Sequence, residues 1–229
     1  MDQILKRHSK AHGPAELTFD IETLPTNLTK IIEYLSKKVK PPGNLKRKEA
    51  IEEWMQYEKP KAVDEVVART ALDGSYGRVC SIAWKLNDLP AVATVGEEVE
   101  VITQFLSILD QMPKERLVLV GHNILGFDLR FLWQRMIING IQPPKYIDWR
   151  ATRISHGLQD TMQLWNPERD RRISLDNLCT ILQVESHKDE FDGSMVYAAW
   201  VKGEYEKIRT HTRNDVESTY ACYKKIVQR

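Results

Sequence analysis

The sequence predicts an α/β domain built on a mixed β-sheet, and two features of its apolar pattern support this prediction. Short apolar runs that are typical of strands occur mainly in the first half of the chain, whereas helical periodicity dominates the second half. The run LVLV at residues 117–120 is continuously apolar, which indicates a central strand that is buried on both faces. A chain of 229 residues with 42% hydrophobic and 28% charged residues is typical of a globular protein with one or two domains.

The individual elements follow from the pattern in chain order. Strands are expected where short, bounded apolar runs occur, at residues 15–21, 78–84, 91–95 and 117–120. Helices are expected where apolar residues recur every three or four positions, at residues 97–111, 126–139, 174–184, 194–201 and 204–227. Ser174 and Ser194 stand at the starts of their helices, where a serine hydroxyl accepts a hydrogen bond from a free backbone N–H.

A strongly basic segment lies between the first two predicted strands. From residue 30 to residue 48, seven Lys or Arg residues stand against one acid, which gives a local net charge of +6 (7 − 1). The sequence PPGN at residues 41–44 predicts a turn or loop between helical pieces. The segment fits either a solvated pair of helices or a surface that contacts phosphates. We expect a single domain over residues 1–229, in which residues 1–13 form a flexible arm and residues 30–70 form a basic helical insertion.

The composition excludes several classes of protein. The net charge of +1 and the pI of about 7.7 exclude a histone-like binder, so any contact with nucleic acid must come from a local patch. No apolar run approaches the ~20 residues that cross a bilayer, and the N-terminus lacks the apolar core of a secretory signal. Three cysteines without a CxxC motif argue against a disulfide framework, and a zinc site at His8 and His12 is not expected in a terminal segment. We therefore expect a cytoplasmic protein with no membrane partner.

Two acids interrupt the first apolar strand. Asp20 and Glu22 are two positions apart, so their side chains point to the same face of the strand, with Cα atoms about 6.6 Å apart. Neighbouring carboxylates repel each other, and a cation shared between them would remove this cost. The same pattern also occurs on solvated strand edges, so it does not identify a metal site by itself.

Two further acids occupy positions where a carboxylate needs a partner. Asp128 follows the buried LVLV strand by a short turn and starts the next predicted helix, where it either caps the helix or joins a site. The last helix carries a core-facing stripe that consists of Ile208, Thr212, Asp215, Thr219, Cys222 and Ile226. Asp215 lies in the middle of this stripe, one helical turn after His211. These two residues form either part of a site or a buried hydrogen-bonded pair.

The ligand chemistry of the four carboxylates indicates a hard cation. Oxygen ligands without cysteine favour Mg²⁺ or Mn²⁺ over zinc. A cluster of three or four carboxylates can hold two such ions about 4 Å apart, an arrangement that promotes phosphoryl displacement. His211 would then orient or deprotonate the attacking water.

Three sequence motifs carry a family resemblance. FDIET at residues 19–23, GHNILGFD at 121–128 and NDVEST at 214–219 are similar, in this order, to the three exonuclease motifs of the DEDD superfamily. Within it, the chain resembles predicted exonucleases related to the proofreading domain of family-B DNA polymerases, also through residues 71–78, 160–165 and 192–196. The resemblance implies a 3′→5′ exonuclease with an RNase H-like fold, a mixed five-stranded sheet flanked by helices.

The resemblance also implies roles for the four acids. Those expected to be catalytic and to bind two Mg²⁺ or Mn²⁺ ions are Asp20, Glu22, Asp128 and Asp215. The third motif departs from the family, because the group usually has Tyr-x-x-x-Asp and other members have His-x-x-x-x-Asp, whereas this chain has a histidine at the tyrosine spacing. The two spacings differ by about 100° of helical rotation. We expect His211 to be catalytic all the same, because the i−4 position places it beside Asp215.

The resemblance further implies contacts with the terminal nucleotide, and the basic segment is expected to guide the nucleic-acid backbone. The residues predicted to make them are Thr23, Leu24, Asn123 and Phe127 around the terminal nucleotide and Lys46, Arg47 and Lys48 along the backbone. Leu24 and Phe127 either stack against bases or pack in the core. Asp160, a further acid in the second half of the chain, is expected to anchor a helix start rather than to bind metal.

The sequence thus predicts a metal-dependent 3′→5′ exonuclease that hydrolyses single-stranded nucleic acid to nucleoside 5′-monophosphates, with DNA favoured through the resemblance alone. Two alternatives stay open: a catalytically inactive module of the same fold that binds nucleic acid or another partner, and a hydrolase of small phosphoesters or free nucleotides. A polymerase domain would not fit in 229 residues. We therefore expect the enzyme to act alone or beside a separate replication or repair protein.

Overall fold

In the computed structural model of the chain, residues 13–168, 171–186 and 191–227 are described. The predicted flexible arm, apart from Gly13, and the histidine pair His8 and His12 lie outside these residues. The described chain divides into two compact units. The smaller unit is Thr23–Arg78, and the larger unit contains the described residues up to Glu22 and from Val79 onward. The expectation of a single domain stays a prediction.

The sheet is mixed and has five strands, as predicted. The strands are β1 (Ala15–Leu24), β2 (Arg78–Leu86), β3 (Val92–Val95), β4 (Leu117–Gly121) and β5 (Leu158–Asp160), and their order in the sheet is β3-β2-β1-β4-β5. Strand β4 pairs in parallel with both β1 and β5, whereas β2 and β3 are antiparallel. The carboxyl ends of β1, β4 and β5 therefore meet at one edge of the sheet, where ligands commonly bind in open α/β sheets.

Helices make up most of the remaining chain. They are α1 (Thr29–Lys38), α2 (Lys48–Tyr57), α3 (Lys59–Arg69), α4 (Glu98–Asp110), α5 (Asp128–Ile138), α6 (Thr161–Trp165), α7 (Leu175–Leu182), α8 (Val196–Val201) and α9 (Tyr205–Val227), with 3₁₀ turns at Thr70–Leu72 and Gly193–Met195. The break predicted at residues 41–44 lies between α1 and α2. Within the described part of the chain, no helix combines the length and the apolar character that crossing a membrane requires.

Strand β4 shows why the larger unit has helices on both sides of its sheet. Leu117 and Leu119 belong to the main apolar cluster, which includes residues of α4 and α5. Val118 and Val120 point to the opposite face and pack against tyrosines of α9, including Tyr220. Burying one Leu or Val side chain contributes roughly 1.5–3 kcal/mol, so the sheet gains stability from both faces. The prediction that this strand is buried on both faces is confirmed.

A buried ion pair anchors α5, the helix that begins with Asp128. Oε1 of Glu98 on α4 accepts hydrogen bonds from Nε of Arg135 (2.8 Å) and from the backbone N–H of Val79 (2.8 Å). Its Oε2 accepts from Nη2 of Arg135 (2.8 Å) and from Nδ2 of Asn139 (2.8 Å). Since removal of one partner of a buried pair costs about 3–5 kcal/mol, these bonds hold α5 firmly against α4 and β2.

The stripe predicted on the last helix is the buried face of α9. Its members are buried except Asp215 and Ile226, which are partly exposed. The hydroxyl groups of Thr212 and Ser81 lie 2.9 Å apart and join this face to β2. The Asp215 side chain is 35% exposed because it lies at the wall of a cavity.

The structure contains one strand whose position was not predicted, and one of its helices begins later than predicted. The resemblance implied five strands, but no apolar run indicated β5, because its three residues, LQD, show no alternation and become a strand only by pairing with β4. Helix α5 begins at Asp128 rather than at residue 126, because the backbone of Phe127 is not helical (φ −133°, ψ −75°).

One of the two predicted serine caps is wrong. The hydroxyl of Ser174 accepts a hydrogen bond from the N–H of Asn177 (3.3 Å) and caps α7, as predicted. Ser194 caps no helix, because the carboxylate of Asp192 accepts its N–H (2.8 Å) and starts a 3₁₀ turn that leads into α8. Helix α8 consequently begins at Val196.

Candidate active site

Strand β1 presents Asp20 and Glu22 to a cavity of about 290 Å³. Ile21, between them, is 4% exposed and packs in the apolar core, whereas both acids are partly exposed. The period of two along a strand therefore places both carboxylates on the cavity side. Both belong to the larger unit.

The turn between β4 and α5 brings Asp128 to the same cavity. The Asp128 side chain is buried, and its Oδ1 accepts a hydrogen bond from the N–H of Ile21 (3.2 Å), between the two acids of β1. The turn is tight at Gly121, where a Cβ would lie 2.8 Å from that of Ile124. Only glycine fits there without a shift of the backbone, so the local sequence sets the path that leads to Asp128.

Asp160 braces this turn from the neighbouring strand. Its carboxylate accepts the N–H groups of Asn123 (3.0 Å) and Leu125 (3.1 Å) in the turn. It also accepts those of Met162 (2.9 Å) and Gln163 (3.3 Å) at the start of α6. The expected role as a helix anchor is confirmed. The bracing of the turn by Asp160 was not predicted, because the two N–H donors in the turn are 35 and 37 residues away and no local pattern links them to Asp160.

Helix α9 supplies the remaining two predicted residues. Nε2 of His211 lies 3.2 Å from Oε1 of Glu22 and 3.7 Å from Oδ2 of Asp215. The ring of Phe191 meets the imidazole edge-on, with centroids 5.3 Å apart and planes at 62°. The imidazole is therefore held between two carboxylates and an aromatic ring.

Burial and neighbouring charges raise the pKa values of two of the carboxylates. Burial, together with the nearby negative charges of Asp128, Asp215 and Glu22, holds the pKa of Asp20 well above its usual range. Burial also raises the pKa of Asp128 to about 7, although two backbone N–H donors oppose the rise. Ionising these acids without a counter-charge is consequently costly, and a bound cation would relieve that cost.

The donor set fits a divalent metal. Ligand atoms of Glu22, His211 and Asp215 lie within 4.8 Å of one another. Asp20 and Asp128 line the same cavity. Four carboxylates and one imidazole match the oxygen-rich coordination that Mg²⁺ and Mn²⁺ prefer.

His122 also lines the cavity, but the sequence analysis assigned it no role of its own. Its Nε2 lies 3.0 Å from the carbonyl oxygen of Ile173, to which it donates, and its Nδ1 lies 2.9 Å from the hydroxyl of Thr161. Burial lowers the pKa of His122 and favours the neutral ring. Its position between Gly121 and Asn123 in the second motif could have indicated that it belongs to the site. Asp176, Asp192 and Phe191 also line the cavity without having been predicted there.

The structure brings together most of the predicted site residues. Those that line the one cavity are Asp20, Glu22, Asn123, Phe127, Asp128, His211 and Asp215. Those in the smaller unit are Thr23, Leu24, Lys46, Arg47 and Lys48. Their catalytic and substrate-binding roles stay predictions.

The side chains predicted to touch substrate have different local surroundings. The Phe127 ring packs against that of Phe131, with centroids 5.3 Å apart, and also faces the cavity. Leu24 is buried, as its packing alternative expects, and the Thr23 hydroxyl donates to the carbonyl of Ala71 (2.6 Å). Lys46, Arg47 and Lys48 are exposed.

A comparison with solved structures shows the fold. The chain is similar to the family B DNA polymerase from the hyperthermophilic archaeon Pyrobaculum calidifontis, with a TM-score of 0.58 and 17% sequence identity. The similarity covers 93% of this chain and 24% of the polymerase. The predicted RNase H-like fold is confirmed. No curated protein matches the sequence.

The sequence itself matches a family profile over residues 56–228. That family is described as a predicted 3′–5′ exonuclease related to the exonuclease domain of PolB. The matched range includes Asp128, His211 and Asp215, whereas Asp20 and Glu22 precede it and are joined to them by the structure. Because the match extends over well more than half of the chain, this protein belongs to the family of predicted 3′–5′ exonucleases related to the exonuclease domain of PolB.

Proposed function

We propose that the protein is a metal-dependent 3′→5′ exonuclease that hydrolyses single-stranded nucleic acid, preferably DNA, to nucleoside 5′-monophosphates by a two-metal mechanism. The observation that carries the proposal is the meeting of the four predicted carboxylates, from three distant segments, in one cavity, where burial and the charges of the other three raise the pKa of Asp20. Such an arrangement is costly for stability, so it needs a functional explanation.

The four acids would hold two Mg²⁺ or Mn²⁺ ions. Bound ions of this kind lower the pKa of the attacking water and neutralise charge on the scissile phosphate. The chain's contribution is to fix the carboxylates on rigid elements. Asp20 and Glu22 lie on a central strand, Asp128 accepts the N–H of Ile21, and Asp215 lies within α9.

His211 would handle the proton of the attacking water. Its Nε2 faces the cavity between Glu22 and Asp215, and Phe191 limits the rotation of its ring. A neutral imidazole in this position can orient the water and accept its proton. The i−4 spacing from Asp215 supports this role, although the family group usually has tyrosine there.

Asn123 and Phe127 would receive the terminal nucleotide. Both line the cavity on the side of the β4–α5 turn, and an aromatic ring such as Phe127 can stack against any base. The exposed Lys46, Arg47 and Lys48 of the smaller unit would contact backbone phosphates without sequence preference.

The test is degradation of single-stranded oligonucleotides labelled at the 5′ end, with Mn²⁺ or with EDTA. We expect stepwise shortening from the 3′ end in Mn²⁺, none in EDTA, and none on oligonucleotides whose 3′ end is blocked. Parallel DNA and RNA substrates measure the preference. Binding without shortening would instead support the inactive module. Turnover confined to dinucleotides or free nucleotides would support the small-phosphoester hydrolase.

A further inference from the structure

A second cavity adjoins the candidate active site within the larger unit. Its volume is about 430 Å³, in the range of small-molecule sites, and Asn123 lines both cavities. Four of its lining residues are arginines: Arg130, Arg150, Arg171 and Arg172. We call it the arginine cavity.

The arginine cavity is suited to an anion because its acids are already engaged. Asp160 accepts four backbone N–H groups, and Glu168 pairs with Arg171 (3.1 Å). Among the described residues, no carboxylate lies within ion-pair distance of Arg130, Arg150 or Arg172. The cavity therefore presents at least three guanidinium groups to a ligand.

The shape of these groups favours a phosphate. A guanidinium is planar and can donate two parallel hydrogen bonds to phosphate oxygens. The guanidinium of Arg150 lies over the ring of Trp133, 5.5 Å from its centroid, which holds it at the cavity wall. The amide side chain of Asn166 adds a further hydrogen-bonding group.

We propose that the arginine cavity binds phosphodiester groups of the nucleic-acid strand on the 5′ side of the scissile bond. The inference rests on the proposed exonuclease function. In a 3′→5′ exonuclease, the terminal nucleoside ends in a hydroxyl, so every phosphate other than the scissile one lies on the 5′ side. A neighbouring cavity rich in arginine thus has phosphates to bind only if it receives that part of the strand.

The test compares binding with strand length in EDTA, where the substrate stays intact. The double variant Arg130→Gln/Arg150→Gln is measured by fluorescence anisotropy against a dinucleotide and a ten-residue single strand. The matched control is Lys202→Gln/Lys225→Gln, which removes two exposed charges outside both cavities. Thermal unfolding of each variant verifies that it is folded.

We expect the arginine variant to bind the longer strand about tenfold more weakly and the dinucleotide as well as the wild type does. The slope of log affinity against log salt concentration should become shallower by about 1.4, at about 0.7 for each phosphate that the protein no longer neutralises. Unchanged affinity for the long strand, or equal weakening for both lengths, would overturn the proposal. If the arginine variant shows this length-dependent loss of binding but the wild-type protein cuts nothing in Mn²⁺, the exonuclease proposal fails. Strand binding by the arginine cavity then still stands.

Discussion

The two neighbouring cavities differ in charge although they share a wall. One is lined by six carboxylates, and burial together with the charges of three of them raises the pKa of Asp20, whereas the other is lined by four arginines. Helix α5 serves both, because Asp128 faces the first cavity and Arg130 the second. In a chain with a net charge of only +1, opposite charges are thus separated over a short distance. The net charge of a chain therefore does not predict which ligand a cavity attracts, because that depends on which charged side chains the fold brings together.

The largest effect is expected from removal of an acid in the first cavity. Asp20→Asn keeps the shape of the side chain but removes a charge, so metal-dependent hydrolysis should fall by about 10³-fold or more. Initial rates in Mn²⁺ measure the loss. The control is Asp64→Asn, an exposed acid of α3 outside both cavities. Activity within threefold of wild type would remove Asp20 from the catalytic set.

His211 should have the next largest effect. His211→Ala removes the group that faces Glu22 and Asp215, and we expect the turnover rate to fall by about 10²–10³-fold. His211→Tyr should retain more activity than the alanine variant, because tyrosine is the usual residue at this spacing in the family group. Rates for both variants are measured as a function of pH. A loss below about tenfold, with an unchanged pH profile, would reject the role in proton transfer.

The variant Asp160→Ala tests whether the β4–α5 turn, which borders both cavities, needs the Asp160 carboxylate to keep its shape. This change frees four backbone N–H groups of the β4–α5 turn and α6, so both cavities should lose their shape. We expect a loss of about 2–4 kcal/mol in the free energy of unfolding, together with weaker binding of long strands in EDTA. Urea unfolding and anisotropy provide the two measurements. A variant with full stability but lost cleavage would point to a direct role in chemistry instead.

The raised pKa of Asp128 predicts how the metal-free protein responds to pH. Its folded-state pKa of about 7 lies above the ordinary value of 3.8, so the folded state holds the proton more tightly than the unfolded state does. Stability in EDTA should therefore fall as pH rises from about 4 to about 7. Asp128→Asn should reduce this fall and gain on the order of 2 kcal/mol over wild type at pH 8. Urea unfolding across this pH range measures the free energy of unfolding of both proteins. If it depends on pH in the same way for both, the prediction is contradicted.

The smallest effect is expected outside both cavities, in the basic segment of the smaller unit. Charge reversal of Lys46, Arg47 and Lys48 to Glu should weaken binding of long strands a few-fold and make the salt dependence shallower. The catalytic rate at saturating substrate should not change, because these residues do not touch the reacting atoms in our proposal. Cleavage of a dinucleotide is the internal control. No change in either binding or salt dependence would assign the segment to the solvated surface.

Much of the first cavity was predictable because its residues interrupt local patterns. Asp20 and Glu22 break an apolar strand, and Asp215 breaks a buried helical stripe, so each stands out within its own element. The brace from Asp160 to Asn123 had no such signal, since it depends on strand β5, which exists only through its pairing with β4. The arginine cavity was missed for the same reason. Its arginines are ordinary polar residues in sequence and acquire a common function only by proximity.

The sequence by itself determined the candidate acids, the buried central strand and the apolar face of the last helix, because periods of two and 3.6 residues act over short distances along the chain. Only the tertiary structure decided that three segments meet at one sheet edge, that His211 contacts Glu22, and that a cavity rich in arginine adjoins the acids. Those facts depend on the parallel pairing of β1, β4 and β5 and on the packing of α9 against the sheet, which join residues far apart in sequence and leave no local trace.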